Sequence, residues 1–552
     1  MVHRSKKALV DSRSFLLGCA LISILKLWLL GPQEILSRSS PHDDTLFVGL
    51  ALNILQGEWL GAYNQFTLMK GSGYPLFIAA SNLLGIPLIL SQELLYLGAC
   101  LVFVWGIHKL GLKNIYLWIA FGALAFNPFT YNFFPNVYPF RFGIYPAVSL
   151  LLFGLAQMVL ISVENKEKHW KTLVFFGLIL GFFWNIRGEA IWIMPSLIVL
   201  IGFYGFASTR HDSGAKVGPA FRSTLAAVIL AGIGFIAVNS GIAYQNLKHY
   251  GVYTTNEMKS PAFKSAYGGL LRIETVIWER FIPINREARQ AAYNVSPAFK
   301  RLEQYFEYGR GTRTWMKGGS DYIAAFFPWA FRDGVYSIGY FRDAPSTHKF
   351  LEQIGKEIDA ACDENKIKCV PRYSELMPKW HSEWNSLGVA TFLETLKQIV
   401  KFKGFIEGDP RSGSINDDKL IINYKYVTGS PVRPQRADLL GKVPEFHKKR
   451  VRLSNLVFGK LLWFYRHLPQ ILVILSVVIV GYRGTQVIRG DRLSTYDVMS
   501  IALLGGLVSY AFILTILQVT SYTSIGRQLN TTYPIVLALI VSSFAMIFKR
   551  NR

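Results

Sequence analysis

Apolar residues gather into recurrent runs separated by short polar loops: 14–30, 74–88, 93–108, 115–126, 142–161, 172–184, 190–206, 223–244, 469–480, 499–519 and 535–548. A helix needs about 20 apolar residues to cross a bilayer, so the pattern predicts an all-α polytopic membrane protein. Between 244 and 454 the pattern changes. That stretch is polar and aromatic-rich, with helix-like periodicity over 348–361 and 391–402, and reads as a mainly helical soluble domain. The chain thus divides into an N-terminal transmembrane module (1–244), an external domain (245–454) and C-terminal transmembrane helices (455–552).

Loop charges orient these parts. Residues 1–13, 163–171, 208–222, 483–497 and 549–552 together hold sixteen Lys and Arg against six acids, so the positive-inside rule places them in the cytoplasm. The loops 31–73, 128–141, 185–190 and 520–532, and the domain 245–454, then face the other side. Three apolar runs lie between the loops at 73 and 128, where parity allows an even number of crossings. One of them is therefore expected to be juxtamembrane or re-entrant, leaving about ten crossings.

Composition agrees with this: 51% of residues are hydrophobic and 17% charged. The net charge of +24 is scattered between apolar segments rather than gathered on one soluble face, which argues against nucleic acid as a partner. Cys362 and Cys369 fit no zinc spacing; on the external side a local disulfide is the expectation. Segment 431–434 and the basic run 442–452 read as a linker returning to the lipid surface.

Acids carry the most information about chemistry, because a carboxylate at a bilayer must be solvated, paired or used. The external domain holds 23 of the 35. Among the rest, Asp43 and Asp44 open an amphipathic stretch with apolar positions at Leu46, Phe47, Leu50, Leu52, Ile54 and Leu55, ending at Gly57. Either acid could act as a helix N-cap or as a reactive carboxylate. Beyond lie Lys70-Gly-Ser-Gly-Tyr74-Pro75, Arg187-Gly-Glu189, an aromatic segment ending at Arg141, and a C-terminal loop carrying Arg527.

An acidic pair after the first membrane helix, an amphipathic helix, a Lys-containing turn and a Tyr-Pro entry to the next segment resemble the first external loop of GT-C-type glycosyltransferases. Lipid A aminoarabinose transferases, protein O-mannosyltransferases and related bacterial enzymes using polyprenyl-phosphate sugars have this layout. The resemblance covers roughly residues 10–245 in layout and implies a GT-C-like helical bundle. It implies Asp43, with Asp44 as second choice, as the base at the acceptor hydroxyl, and Lys70 at the donor phosphate. The usual Lys-Pro-Pro is replaced here by Lys70-Gly-Ser-Gly-Tyr-Pro, and Gly188 stands where many such enzymes have Pro in an Arg-Pro-Glu turn.

Arg is suited to forked phosphate contact and Lys to a point charge, so Lys70, Arg141, Arg187 and Arg527 are the candidate phosphate ligands, with Glu189 and Tyr74 supporting. The expected activity is inverting transfer of a sugar from a polyprenyl-phosphate donor to a hydroxyl of a glycan, lipid or protein. A transporter or flippase of a lipid-linked saccharide, or an O-antigen-type ligase or polymerase, is the alternative. Adjacent aspartates could recruit a divalent metal, but no third patterned acid accompanies them, so no metal is expected. The expected location is a bacterial inner membrane, with the site facing the periplasm.

Overall fold

The computed structural model describes residues 2–37, 40–109, 112–127, 130–131, 137–209, 217–316, 321–403, 418–433, 445–521 and 525–550. The protein is an all-α polytopic membrane protein with a helical extramembrane module. Among the described residues eight helices are long and apolar enough to cross a bilayer. By element bounds six of them are α1 (Val2–Leu30), α4 (Leu88–His108), α6 (Tyr145–Glu164), α9 (Val217–Tyr250), α16 (Glu445–Ile488) and α17 (Thr495–Thr520). The other two are α8 (Met194–Thr209), entered through a 3-10 turn, and α18 (Thr532–Arg550). The shorter apolar helices α5 (Asn114–Ala125) and α7 (Trp170–Trp184) pack among them.

The run at 74–88 forms only α3 (Gly73–Leu83), eleven residues long, which is too short to span. Of the three runs between the loops at 73 and 128, only α4 among the described residues has the length of a span; α3 and the twelve-residue α5 are both shorter. Before it, α2 (Asp44–Leu55) buries Phe47, Val48, Leu50 and Ala51 and ends where Gly57 takes the left-handed conformation.

The module between α9 and α16 has two parts. Helices α10 (Pro261–Leu270), α11 (Arg286–Val295), α12 (Phe327–Ser337) and α13 (Ala344–Asp363) enclose a core of their own around Phe263, Phe299, Phe306, Phe331 and Ile354. The remainder, α14 (Trp384–Val400) and α15 (Asp418–Thr428), buries Ile399, Phe402, Tyr424 and Val427 in the same core as the membrane helices. Residues 384–403 and 418–428 are therefore not part of a detached soluble domain. One apolar face of each of these helices packs on the bundle, a partition that hydropathy alone does not reveal.

A two-residue parallel ladder joins β1 (Ile35–Leu36), just after α1, to β2 (Val432–Arg433), just before α16. The Glu34–Arg433 ion pair lies beside it at 3.2 Å. The basic run expected as a linker is helical from Glu445 onward, and residues 434–444 lie outside the described set. Within that helix Arg450 donates to the carbonyl of Trp28 and Ser454 to that of Leu29 (2.7 Å), satisfying the C-terminal end of α1. The apolar run at 469–480 is likewise an internal part of this 44-residue helix, with Pro469 inside it.

Candidate active site

Three chain segments converge at one end of the bundle. The first is the loop from α2 to α3, which carries Lys70. The second is the 3-10 turn Arg141–Gly143 at the entry to α6. The third is the turn after α7, where Asn185 caps the helix and anchors itself to Gly181 O (2.9 Å) and Asn239 Oδ1 (3.0 Å).

Glycine chemistry explains how the first and third segments meet. Gly73 N donates to Asn185 O at 3.1 Å, and a Cβ on Gly71 would stand 2.1 Å from that same oxygen. Only a glycine lets the backbones approach so closely. The Gly-Ser-Gly sequence thus seats Lys70 against the Arg187 turn. Gly188, by contrast, lies open, with nothing within 4 Å of a built Cβ.

Within this junction Lys70 Nζ pairs with the Asp43 carboxylate and donates to the carbonyl of His42. Arg187 pairs with Glu189 through Nε (2.6 Å) and Nη2, and its guanidinium lies 3.9 Å from the centroid of Phe142. Arg141 reaches within 3.5 Å of Ile186 O, and Phe47 underlies both Arg141 (5.4 Å) and Lys70 (5.1 Å). Burial, together with the neighbouring Arg141 and Arg187, pulls the Lys70 ammonium down to about 8, against the opposing pull of Asp43. Burial also disfavours the Glu189 carboxylate, but Arg187 and Arg141 outweigh it and hold Glu189 below its usual range.

Three cations thus face two carboxylates, an excess of positive charge in a partly dehydrated place. Lys259, which the sequence reading did not single out, adds a fourth: it lies 5.3 Å over the ring of Trp184 and interacts electrostatically with Glu189. Two polar groups here have no hydrogen-bond partner among the described residues: the buried Nε of Arg141 and the hydroxyl of Ser72, itself 1% exposed. Buried polar groups without partners are rare in native structures, and a polar ligand placed here could satisfy both.

The module closes the junction from the other side. Trp329 lies 5.2 Å from Lys70 Nζ, and the His42 ring packs against Trp315 (4.7 Å) and Trp329 (5.2 Å). Behind Lys70, Glu257 N donates to Leu68 O (2.9 Å) and Asn256 Nδ2 to Met69 O (2.9 Å). The Glu257 carboxylate pairs with Arg332 and accepts from Tyr63 (2.6 Å), with His348 at 3.1 Å.

Other expected residues take different places. Asp44 is buried and accepts from Tyr424 (3.1 Å), so it holds α15 on α2. Asp43 occupies the N-cap position of α2 without a side-chain cap bond among the described residues. Tyr74 donates to Gln92 (3.0 Å) and meets Phe47 edge-on, positioning the ring beneath the cations. Arg527 falls in the short helix Ile525–Gln528, but its side chain is outside the described residues. Cys362 and Cys369 form a disulfide in the module. Among the described residues no three His, Cys, Asp or Glu side chains are grouped as a metal site.

An apolar groove of 350 Å³ runs between α6, α7, α8 and α9, lined by Leu160, Leu180, Met194, Leu197, Tyr204 and Phe235. Trp184 lines it too, and Lys259 lies over that ring, so the groove borders the cationic junction.

No protein-family model and no curated protein matches the sequence. The chain is similar in structure to ArnT from Cupriavidus metallidurans, solved bound to undecaprenyl phosphate. The match spans 96% of this chain and 77% of that one, at 11% identity and a TM-score of 0.31.

Proposed function

We propose that the protein is a membrane glycosyltransferase that takes a sugar from a polyprenyl phosphate and transfers it to an acceptor hydroxyl. One observation carries the reading. Lys70, Arg141 and Arg187 converge beside the Asp43 carboxylate, with the buried Arg141 Nε and Ser72 hydroxyl lacking partners among the described residues. The bordering apolar groove suits a lipid tail whose phosphate lies among the cations.

The chemistry follows from charge. As the bond from the anomeric carbon to the phosphate oxygen breaks, negative charge builds on the leaving phosphate, where Lys70, Arg141 and Arg187 stabilise it. The acceptor oxygen forms the new bond from the opposite face and gives its proton to Asp43, with inversion at the anomeric carbon. The Asp43–Lys70 pair gives this an order. While Lys70 is bound to Asp43 the carboxylate is a weak base; a phosphate that engages Lys70 releases it.

A transporter would place charged groups midway through the membrane. The one buried ion pair between described membrane helices, Lys26–Glu93 at 2.7 Å, has its lysine four residues from the end of α1, and this position favours the enzyme. The test is binding of polyprenyl phosphate by the purified protein in detergent. Wild type should bind, with an affinity that Arg141→Ala lowers; binding unaffected by Arg141→Ala and Lys70→Ala together would refute the site.

A further inference from the structure

Away from the cationic junction, one side of the module carries exposed apolar residues at the level where membrane helices end. Val276 is 88% and Ile277 65% exposed in the turn 275–280. Next to it Trp278 packs on His381 (4.6 Å) and Trp384 (5.5 Å), and Trp380 meets Trp384 edge-on. The strip continues along α14. That helix buries Trp384, Gly388, Thr395 and Ile399, yet shows Val389 (62%) and Leu393 (58%), one turn apart, on another face. A helix with apolar residues on both its buried and its exposed face is not built for water on that second face.

Two contacts fix the depth of this strip. Arg280 donates to the carbonyls of Val519 (3.4 Å) and Gln518 (3.5 Å), in the last turn of α17. At the other end Phe402 stacks on Tyr533 (4.8 Å) in the first turn of α18. The strip is therefore level with the ends of two membrane-spanning helices. It is also continuous with apolar surface on α17, against which α14 packs and where Val508 and Phe512 are exposed. Lys397, Lys401 and Lys403 are exposed at the end of α14, and Lys379 precedes Trp380. Tryptophan, exposed aliphatic residues and lysine at this depth match the composition of a membrane–water interface.

We propose that the turn 275–280 and α14 seat in the interfacial zone of the leaflet on the module's side. Ile277, Val276, Val389 and Leu393 lie among the upper acyl chains, and the lysines lie at the lipid phosphates. The partner of this surface is the phospholipid bilayer. The Cys362–Cys369 disulfide supports the arrangement, because the segment through Cys369 pairs with Ile273, just before the turn. The seating sets the height of the module above the junction that Trp329 and Glu257 close.

The test uses the full chain in nanodiscs of zwitterionic and anionic phospholipid, with the buried Cys19 and Cys100 replaced by Ala. Ile277→Cys, Leu393→Cys and the control Lys366→Cys each carry a fluorescent thiol label. A lipid bearing a quencher on its acyl chain should quench the labels at 277 and 393 by half or more, while aqueous iodide quenches the label at 366 alone. A label at 277 or 393 as open to iodide as the one at 366 overturns the proposal, and would leave the strip as a surface for a protein partner.

Discussion

Lys70 and Asp43 stand 27 positions apart and share an ion pair in which Lys70 also holds the carbonyl of His42. The pair fixes the start of α2 against the turn into α3. It also places a carboxylate and an ammonium within one cationic pocket, where each can have a separate partner during transfer. Asp43→Asn keeps the shape and removes the base. Transfer by this variant should fall by roughly 10²–10⁴-fold, with polyprenyl-phosphate binding retained; near-normal turnover would sink the base assignment.

Lysine titration gives a second expectation. The Lys70 ammonium, held at about 8 chiefly by burial, loses its charge in the ligand-free protein as pH rises through that value. Donor binding should weaken above pH 8. The unfolded chain keeps this proton to about 10.5, so between these values it binds more protons than the native state, and this group's contribution to stability rises with pH. Titration of Lys70 therefore weakens binding in this window without itself destabilising the fold. Affinity measured from pH 7 to 9.5 should decline for wild type and stay flatter for Lys70→Arg; identical profiles would dissociate Lys70 from the phosphate.

Arg141 has an Nε without a partner among the described residues and rests on Phe47. Replacing it with Ala removes a charge-assisted contact worth about 1.5–3 kcal/mol, so polyprenyl phosphate should bind about 10- to 100-fold more weakly. Equilibrium binding with unchanged helical circular dichroism checks this.

Much of this arrangement was legible in the chain. The amphipathic helix ending at Gly57 follows from the loop's pattern, and loop charges singled out Asp43, Lys70, Arg141, Arg187 and Glu189, which the fold brings together; which run between 74 and 126 is short was not legible. Ser72, Lys259 and Trp329 were missed for a common reason: each joins the site through folding of a segment whose local pattern is unremarkable for a loop or a soluble helix. The return of α14 and α15 to the membrane core was missed because their apolar positions are too few for a spanning run. The two glycines flanking Ser72 were the available signal. Gly71→Ala should displace the turn from Asn185 O and lower turnover more than it lowers thermal stability, which paired activity and melting measurements would show.

Glu257 joins the module to the first loop. Burial alone would raise its pKa, but Arg332, His348 and Tyr63 outweigh burial and hold it at about 2. Because the folded value is depressed, the stability it contributes is complete above the unfolded value of 4.5 and is lost as pH falls towards 2. Glu257→Gln leaves Arg332 buried without its counter-ion, at a cost of about 3–5 kcal/mol. The variant should melt at lower temperature at pH 7 and show a weaker acid dependence between pH 4.5 and 2 than wild type. Equal acid dependence in the two proteins would count against this network.

The central claim is that this junction transfers a sugar from polyprenyl phosphate. It is tested most directly by incubating purified wild type and Asp43→Asn with radiolabelled polyprenyl-phosphate sugars and a panel of lipid and glycan acceptors, following released polyprenyl phosphate. The account predicts release by wild type that Asp43→Asn loses. Movement of a lipid-linked sugar across reconstituted vesicles by both proteins, with no release by either, would contradict it.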